Sequence, residues 1–400
     1  MRAVVIGSGI AGTAAAWALA RRGVATTIVM GAPGATQLAP GVLDESAIGA
    51  PAAPVSGAVG ALLTALGGYV AKPCAVATDA GVVRSGAARD GALLDVSALS
   101  GEVAVPRFSR EGWDADALVW LLSGSAATKG LALTFRAIDV GLARLSDERH
   151  VGDAAMAARH DDPTRLAWLA ERLRQTNHKG PWLLPPWLGR DEERATALSS
   201  SLGAPCGELA TGLAGPSGFR FGAMRARVLA AEGVAAVRGF AEAIREGADD
   251  VVVTASNGAL LRVDVVVLAT GGLVGGGLGY APSEAGVGGE LPLEPRPFLV
   301  ESLASSRVGV DDMPLLVPGS MFGAAPETIA WPFVAHGALE RAGTLIHDGG
   351  RLRGRQRIFA AGDVVADQAR TWLAAAASGL EAGAGAATFA AAEGRARSSG

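Results

Sequence analysis

Cysteine is almost missing from this chain: Cys74 and Cys206 are the two thiols in 400 residues, and neither has a C-x-x-C partner. So few ligands cannot by themselves build an iron–sulfur cluster or a zinc site. The same scarcity fits a reduced, cytoplasmic setting. An excess of either charge is also missing, since 35 basic residues face 39 acidic ones. That balance leaves neither a nucleic-acid footprint nor a polyanionic tail, and no nucleic-acid partner is expected. Aromatic residues make up only 5% of a chain that is 50% hydrophobic and holds 56 glycines. Small side chains of this kind suit close packing of helices on a sheet in an α/β protein.

Two stretches imitate membrane or export signals. Met1 to Ala20 carries an arginine, an apolar run and Ala18-Leu19-Ala20, as a secretion signal would. The glycine pattern inside it argues instead for nucleotide binding. Val265 to Ser283 has no charge, but its glycines divide it into a strand and a loop rather than a spanning helix. The expectation is a soluble protein that can still dock peripherally on a membrane partner.

Val4-Val5-Ile6-Gly7-Ser8-Gly9-Ile10-Ala11-Gly12 is the most informative stretch. It reads as a buried strand turning through glycines into a helix, Thr13 to Arg22, with a second strand at Ala25 to Met30. The turn sets backbone N–H groups and the positive end of a helix dipole where a pyrophosphate can rest. Gly7 permits the turn, Gly9 lets phosphate approach the backbone, and Gly12 lets the helix pack on the strand. The pattern gains specificity from its strand–turn–helix–strand context.

Further along, Gly31 to Asp44 reads as a small-residue loop and Val55 to Leu66 as a helix. Ala75 to Thr78, Val82-Val83 and Leu131 to Phe135 read as strands. Asp114 is an N-cap for a helix to Leu122. Arg165 to Gln175 is amphipathic. Pro181 to Gly189, with two tryptophans among three prolines, reads either as a rigid, partly apolar surface or as core. Arg190 to Leu202 and Met224 to Glu232 read as helices, and Val234 to Val237 as a strand. Phe240 to Val263 forms an antiparallel excursion turning at Asn257-Gly258. Val265 to Leu268, apolar throughout, is a buried parallel strand. Gly275 to Pro332 is loop-rich, Arg357 to Ala361 is a strand, and Ala369 to Ala391 is a long helix.

The opening fingerprint, Val265–Gly272 and Phe359–Asp363 together resemble the two-dinucleotide-binding-fold flavoproteins. In that superfamily a strand ending A-T-G crosses beside the cofactor and a late F-A-A-G-D turn holds the ribityl chain. The resemblance implies a Rossmann-like FAD/NAD(P)-binding α/β domain with a parallel sheet and a β-excursion, plus a discontinuous α+β cap. The flavin-binding domain is expected at residues 1–70, 216–285 and 345–400. The cap, for substrate or partner contact, is expected at 71–215 and 286–344. Expected cofactor contacts are Gly7, Gly9, Ile10, Ala11, Gly12, Thr36, Gly41, Thr270, Gly271, Gly362 and Asp363. One residue departs from the pattern. Such proteins place Glu or Asp at the end of the second strand to hold the adenosine ribose, and here Met30 and Gly31 stand there. Either the adenine half is held through backbone, or the flavin is FMN rather than FAD.

Within the superfamily, the chain is similar to the B-subunit family of anaerobic glycerol-3-phosphate dehydrogenase over most of its length. The likeness rests on Leu38–Asp44, Leu184–Gly189, Gly203–Leu209, Pro216–Arg220 and Leu268–Gly272. It implies a flavin subunit working beside a catalytic flavoprotein subunit and an iron–sulfur membrane anchor, passing electrons from glycerol 3-phosphate toward quinone. The chain's end, with Gly362-Asp363 and alanines, departs from the family's glycine-rich run. Oxidation of a small-molecule alcohol needs a base for the hydroxyl proton. His336, just before the last cofactor segment, is the candidate. For a substrate phosphate the candidate is Arg220, set between two phenylalanines; Arg225 and Arg227 read as a solvated helix face. No metal site is expected.

Overall fold

The computed structural model describes the chain except for residues 32, 47–54, 142–147, 213–214, 273–274, 276, 283–297, 303–306, 311–312, 315–342 and 400. The chain divides into two compact units, Met1–Ala35 with Val228–Gly400, and Thr36–Arg227.

In the first unit five parallel strands lie in the order Ala235–Arg238, β2 (Ala25–Met30), β1 (Arg2–Ile6), Val265–Leu268, Ile358–Ala360. β1 is at the centre, with Val4 opposite Val266 on one side and Thr27 on the other. Ala3 to Ile6 and Val265 to Leu268 are buried throughout, which explains their unbroken apolar runs. The antiparallel excursion forms as expected, from Ala241–Glu246, Val251–Ala255 and Leu260–Val263. It joins the sheet through Val251, Val253 and Val263, which share a core with Val4, Val266 and Ile358.

α1 (Ile10–Ala20) is buried from Ile10 to Leu19, so a one-sided apolar stripe would not serve it. Its alanines face the long helix Trp372–Ser399. A Cβ on Gly379 would lie 2.2 Å from the Ala11 carbonyl oxygen, and one on Gly383 2.6 Å from that of Ala15. Two glycines four residues apart thus let the helix backbones touch. Alanine and glycine dominate here because nothing larger fits.

The second unit carries a parallel sheet in the order Cys206–Glu208, Trp182–Leu184, Gly101–Arg107, Leu133–Asp139. An antiparallel group joins Val42–Ser46, Tyr69–Val70 and Cys74–Ala77 to Val83–Asp90. These pairings place Val42–Ser46 and Tyr69–Val70 in this unit, whereas the sequence reading grouped them with the nucleotide-binding fold. Residues 216–227 fall here too. Helices start where caps allow: the side chains of Ser56, Asp114 and Asp162 accept from Val59, Ala117 and Thr164 N–H.

The proline–tryptophan block resolves as core, not surface. Trp182 and Trp187 are 1% and 2% exposed, among Phe108, Met156 and Leu169. Phe108 stacks on Trp187 at 4.9 Å, and the Arg110 guanidinium lies 4.7 Å from that ring. Cys74 and Cys206 are buried free thiols, pushed up by burial to about 11 and about 12. In the expected loop-rich stretch, Leu278–Pro282, Phe298–Ser302, Arg307–Val310 and Met313–Pro314 form antiparallel strands. Among the described residues no helix is long and apolar enough to cross a membrane.

Candidate functional site

Three motifs meet at the carboxyl ends of three neighbouring strands of the first unit. Gly7, at the end of β1, has φ +106° and donates its N–H to the Val29 carbonyl at 2.9 Å. A Cβ there would lie 2.1 Å from the Ala269 carbonyl oxygen, so only glycine fits. Gly12 is equally constrained: its Cβ would lie 1.9 Å from the Gly7 carbonyl oxygen. Gly9 caps α1 without a side chain, and the first turn holds no acidic residue. The positive end of α1 therefore meets no carboxylate from its own first turn, as an anion site requires. Ile10 and Ala11 are buried in that turn.

The second motif leaves the strand Val265–Leu268. Ala269 N–H donates to the Ile6 carbonyl, which ties the two strand ends together. Gly271 then turns at φ +82°. Thr270 has a buried hydroxyl with no hydrogen-bond partner among the described residues. Buried hydroxyls are rarely left so, because an unmade bond costs about 1–3 kcal/mol.

The third motif follows Ile358–Ala360. Gly362, at φ +72°, presses on the first turn of α1, where its Cβ would lie 2.6 Å from that of Ala11. Its N–H donates to Ser378 Oγ at 3.1 Å. Asp363 is half-buried, and burial raises its carboxyl above the ordinary range while the nearby Arg370 charge pulls the other way. Arg370 donates to the Asp363 carbonyl at 2.8 Å, and a Cβ on Gly272 would strike both residues. Gly7 and Gly12 are thus packed together beside Thr270, and Gly362 and Asp363 pack against Ala11 and Gly272.

Of the other expected residues, Thr36 and Gly41 belong to the second unit. Thr36 lies on the short helix Ala35–Leu38. Gly41, at φ +90°, lies where a Cβ would stand 2.4 Å from Ser217 Oγ and 3.1 Å from Asp90 Cβ. Its glycine answers to packing within the second unit. His336 lies outside the described residues.

Arg220 requires a correction. Expected as a phosphate contact, it is 1% exposed and its donors are taken inside the second unit. Nε donates to Asp90 at 2.8 Å, while Nη2 donates to Glu208 at 2.7 Å and Ser217 Oγ at 3.2 Å. Nη1 donates to the Gly189 carbonyl. Two carboxylates share one guanidinium out of water, so burial pushes Glu208 up to about 7 despite the Arg220 charge. Leu188 N–H donates to the other Glu208 oxygen. The blocks Leu184–Gly189, Gly203–Leu209 and Pro216–Arg220 therefore converge on one buried ion cluster. Arg227 behaves as an exposed partner of Glu192, whereas Arg225 is partly buried, 5.8 Å from the Phe221 ring.

Sequence reading missed Asp90 and Glu208 as partners of Arg220, and missed Ser378 and Arg370 beside the third motif. Each pairing joins residues that no local pattern links, Asp90 and Arg220 being 130 positions apart. A buried His160 also escaped notice: burial and the Arg165 charge hold it down to about 4, so it stays neutral in the fold.

No protein-family model and no curated protein matches the chain. Among solved structures it is similar to BexE, studied for oxidation during BE-7585A biosynthesis (TM-score 0.37, 14% identity, covering 98% of this chain and 62% of that one). It is similar to CtdE in complex with FAD (TM-score 0.35, 9% identity, 99% and 89%). A third is the GidA-related protein from Thermus thermophilus (TM-score 0.33, 12% identity, 98% and 98%). The chain spans 62% of the length of BexE. Scores and identities this low transfer neither a ligand nor a reaction. The α/β class itself, with its parallel sheet, is read directly from the strand pairing above.

Proposed function

We propose that this chain is a flavin-dependent oxidoreductase that holds FAD across the strand ends of its first unit. One observation carries the reading: an uncapped glycine turn, the unpartnered Thr270 hydroxyl and the Asp363 carboxyl lie on three adjacent parallel strands. These residues fit a flavin nucleotide. The α1 amino end and the glycine turn would take the phosphates. Thr270 supplies a hydroxyl that lacks a partner within the described protein, and Asp363 supplies an acceptor for polyol hydroxyls. When bound, the flavin supplies a two-electron acceptor. The protein's part is to fix the phosphate arm and orient the polyol, with the Arg370 charge opposing the effect of burial on the Asp363 carboxyl.

The finer reading is a flavin subunit of a quinone-linked glycerol-3-phosphate dehydrogenase, with a catalytic flavoprotein subunit and an iron–sulfur membrane anchor as partners. The motif blocks support it as a family likeness. They give it no phosphate contact through Arg220, because that guanidinium is enclosed. A free-standing oxidoreductase acting on another small molecule shares the same cofactor fit.

The absorption spectrum of the purified chain, followed by acid extraction and mass analysis of the released flavin, tests the cofactor. Flavin bands and a released dinucleotide are expected. A colourless protein that takes up no added flavin overturns the proposal. Anaerobic reduction by glycerol 3-phosphate, with and without partner subunits, then tests the finer reading. Fast reduction of the isolated chain by a different alcohol overturns it.

A further inference from the structure

At the end of β2 the chain has no acid to grip a ribose, and the structure shows what stands there instead. A Cβ on Gly31 would lie 2.6 Å from Cε1 and 2.7 Å from Cδ1 of Phe240, so the phenyl ring rests directly on the glycine backbone. Phe240 remains 60% exposed. Its setting is tightly fixed. Gly239 N–H donates to the Met30 carbonyl at 3.0 Å. Phe240 N–H donates to Ser256 Oγ at 2.9 Å, and Ser256 N–H returns a bond to the Phe240 carbonyl at 2.8 Å. The glycine it covers follows the strand tied to the phosphate turn, since Gly7 N–H bonds to the Val29 carbonyl two residues before Gly31.

We propose that Phe240 is the platform for the adenine of a bound dinucleotide. Stacking on its exposed face replaces the missing ribose carboxylate, and Gly31 is glycine because the ring occupies its side-chain space. A dinucleotide laid along the strand ends, phosphates over the β1 turn, carries its base one strand outward. That position is the end of β2, where the ring stands. An exposed aromatic fixed at both backbone groups suits a flat base, whose stacking needs no hydrogen-bond code. The inference rests on the flavin reading and deepens it, since it selects a dinucleotide over FMN.

The test titrates the flavin-stripped full chain with ADP and, separately, with FMN. ADP carries the adenosine without the isoalloxazine, and FMN the reverse. Phe240→Ala should weaken ADP binding on the order of 10- to 100-fold and leave FMN binding unchanged. Phe240→Leu, which keeps Gly31 covered, should lose ADP affinity as well, whereas Phe240→Trp should retain it. Unchanged ADP binding by Phe240→Ala overturns the proposal, as does an equal loss for both probes. A wild-type chain that binds FMN but not ADP also overturns it and leaves a mononucleotide flavoprotein. A chain that binds neither, nor FAD, refutes the flavin reading itself.

Discussion

The Thr270 turn of the first unit and the Arg220 cluster of the second handle buried polar groups in different ways. In the first, glycine and alanine bring backbones into contact. Gly7 lies on Ala269, Gly362 on Ala11, and Gly379 and Gly383 on α1. Polar side chains there are left unspent, with Thr270 as the clearest case. In the second unit two clusters pair arginines with buried carboxylates. Asp90, Glu208, Ser217 and the Gly189 carbonyl share Arg220, and Glu148 receives Arg159 and Arg165. An idle hydroxyl beside a glycine turn can take a ligand, whereas the enclosed Arg220 guanidinium is already engaged.

The contrast is easiest to break at Arg220. Arg220→Met keeps much of the volume but strands two buried carboxylates, at an expected cost of about 3–5 kcal/mol. Urea unfolding should show it. The loss should also deepen from pH 5 to pH 8. A buried carboxyl raised to about 7, as Glu208 is, takes a proton more readily folded than unfolded, so stability falls as pH rises from its unfolded value toward the folded one. A small, pH-independent change would mean the cluster is not what holds this unit.

Next in size is the helix seam. Gly379→Val drives a branched side chain into the Ala11 carbonyl, 2.2 Å from where its Cβ must go. The expected penalty is about 1–3 kcal/mol, together with weaker flavin retention, because Ala11 belongs to the first turn of α1. Normal flavin occupancy in that variant would separate the seam from the site. The smallest effect belongs to Thr270→Val. Removing an unpartnered hydroxyl should leave the flavin-free protein unchanged or more stable by up to about 1 kcal/mol, while flavin binds less tightly. A clear loss of stability without flavin would show that the hydroxyl already has a use.

Legibility in the sequence followed the range of the interactions. β1, α1, β2 and Val265–Leu268 were readable because glycine spacing and unbroken apolar runs are local consequences of a buried parallel strand and a tight turn. The Asn257-Gly258 hairpin was readable for the same reason. Arg220 was not. Whether an arginine meets a ligand phosphate or two carboxylates depends on where Asp90 arrives, and nothing near Arg220 encodes that. The tryptophans of Pro181–Gly189 posed a similar problem, since prolines suggest an exposed turn while burial is decided by Phe108 and Met156 from elsewhere. Phe240 carried no signal at all. The absence of an acid at Met30-Gly31 was plain, but the ring that takes its place follows the neighbouring strand Ala235–Arg238, far along the chain in sequence.

The seam between α1 and Trp372–Ser399 bears on how the protein is made. β1 leaves the ribosome early, yet its neighbour Val265–Leu268, the strand Ile358–Ala360 and the helix that covers α1 arrive more than 250 residues later. At about 5–20 residues per second, the nascent pair of β1 and β2 waits for tens of seconds with both edges bare, since Ala235–Arg238 also comes late. A chain that stops short of residue 372 lacks the helix that covers α1.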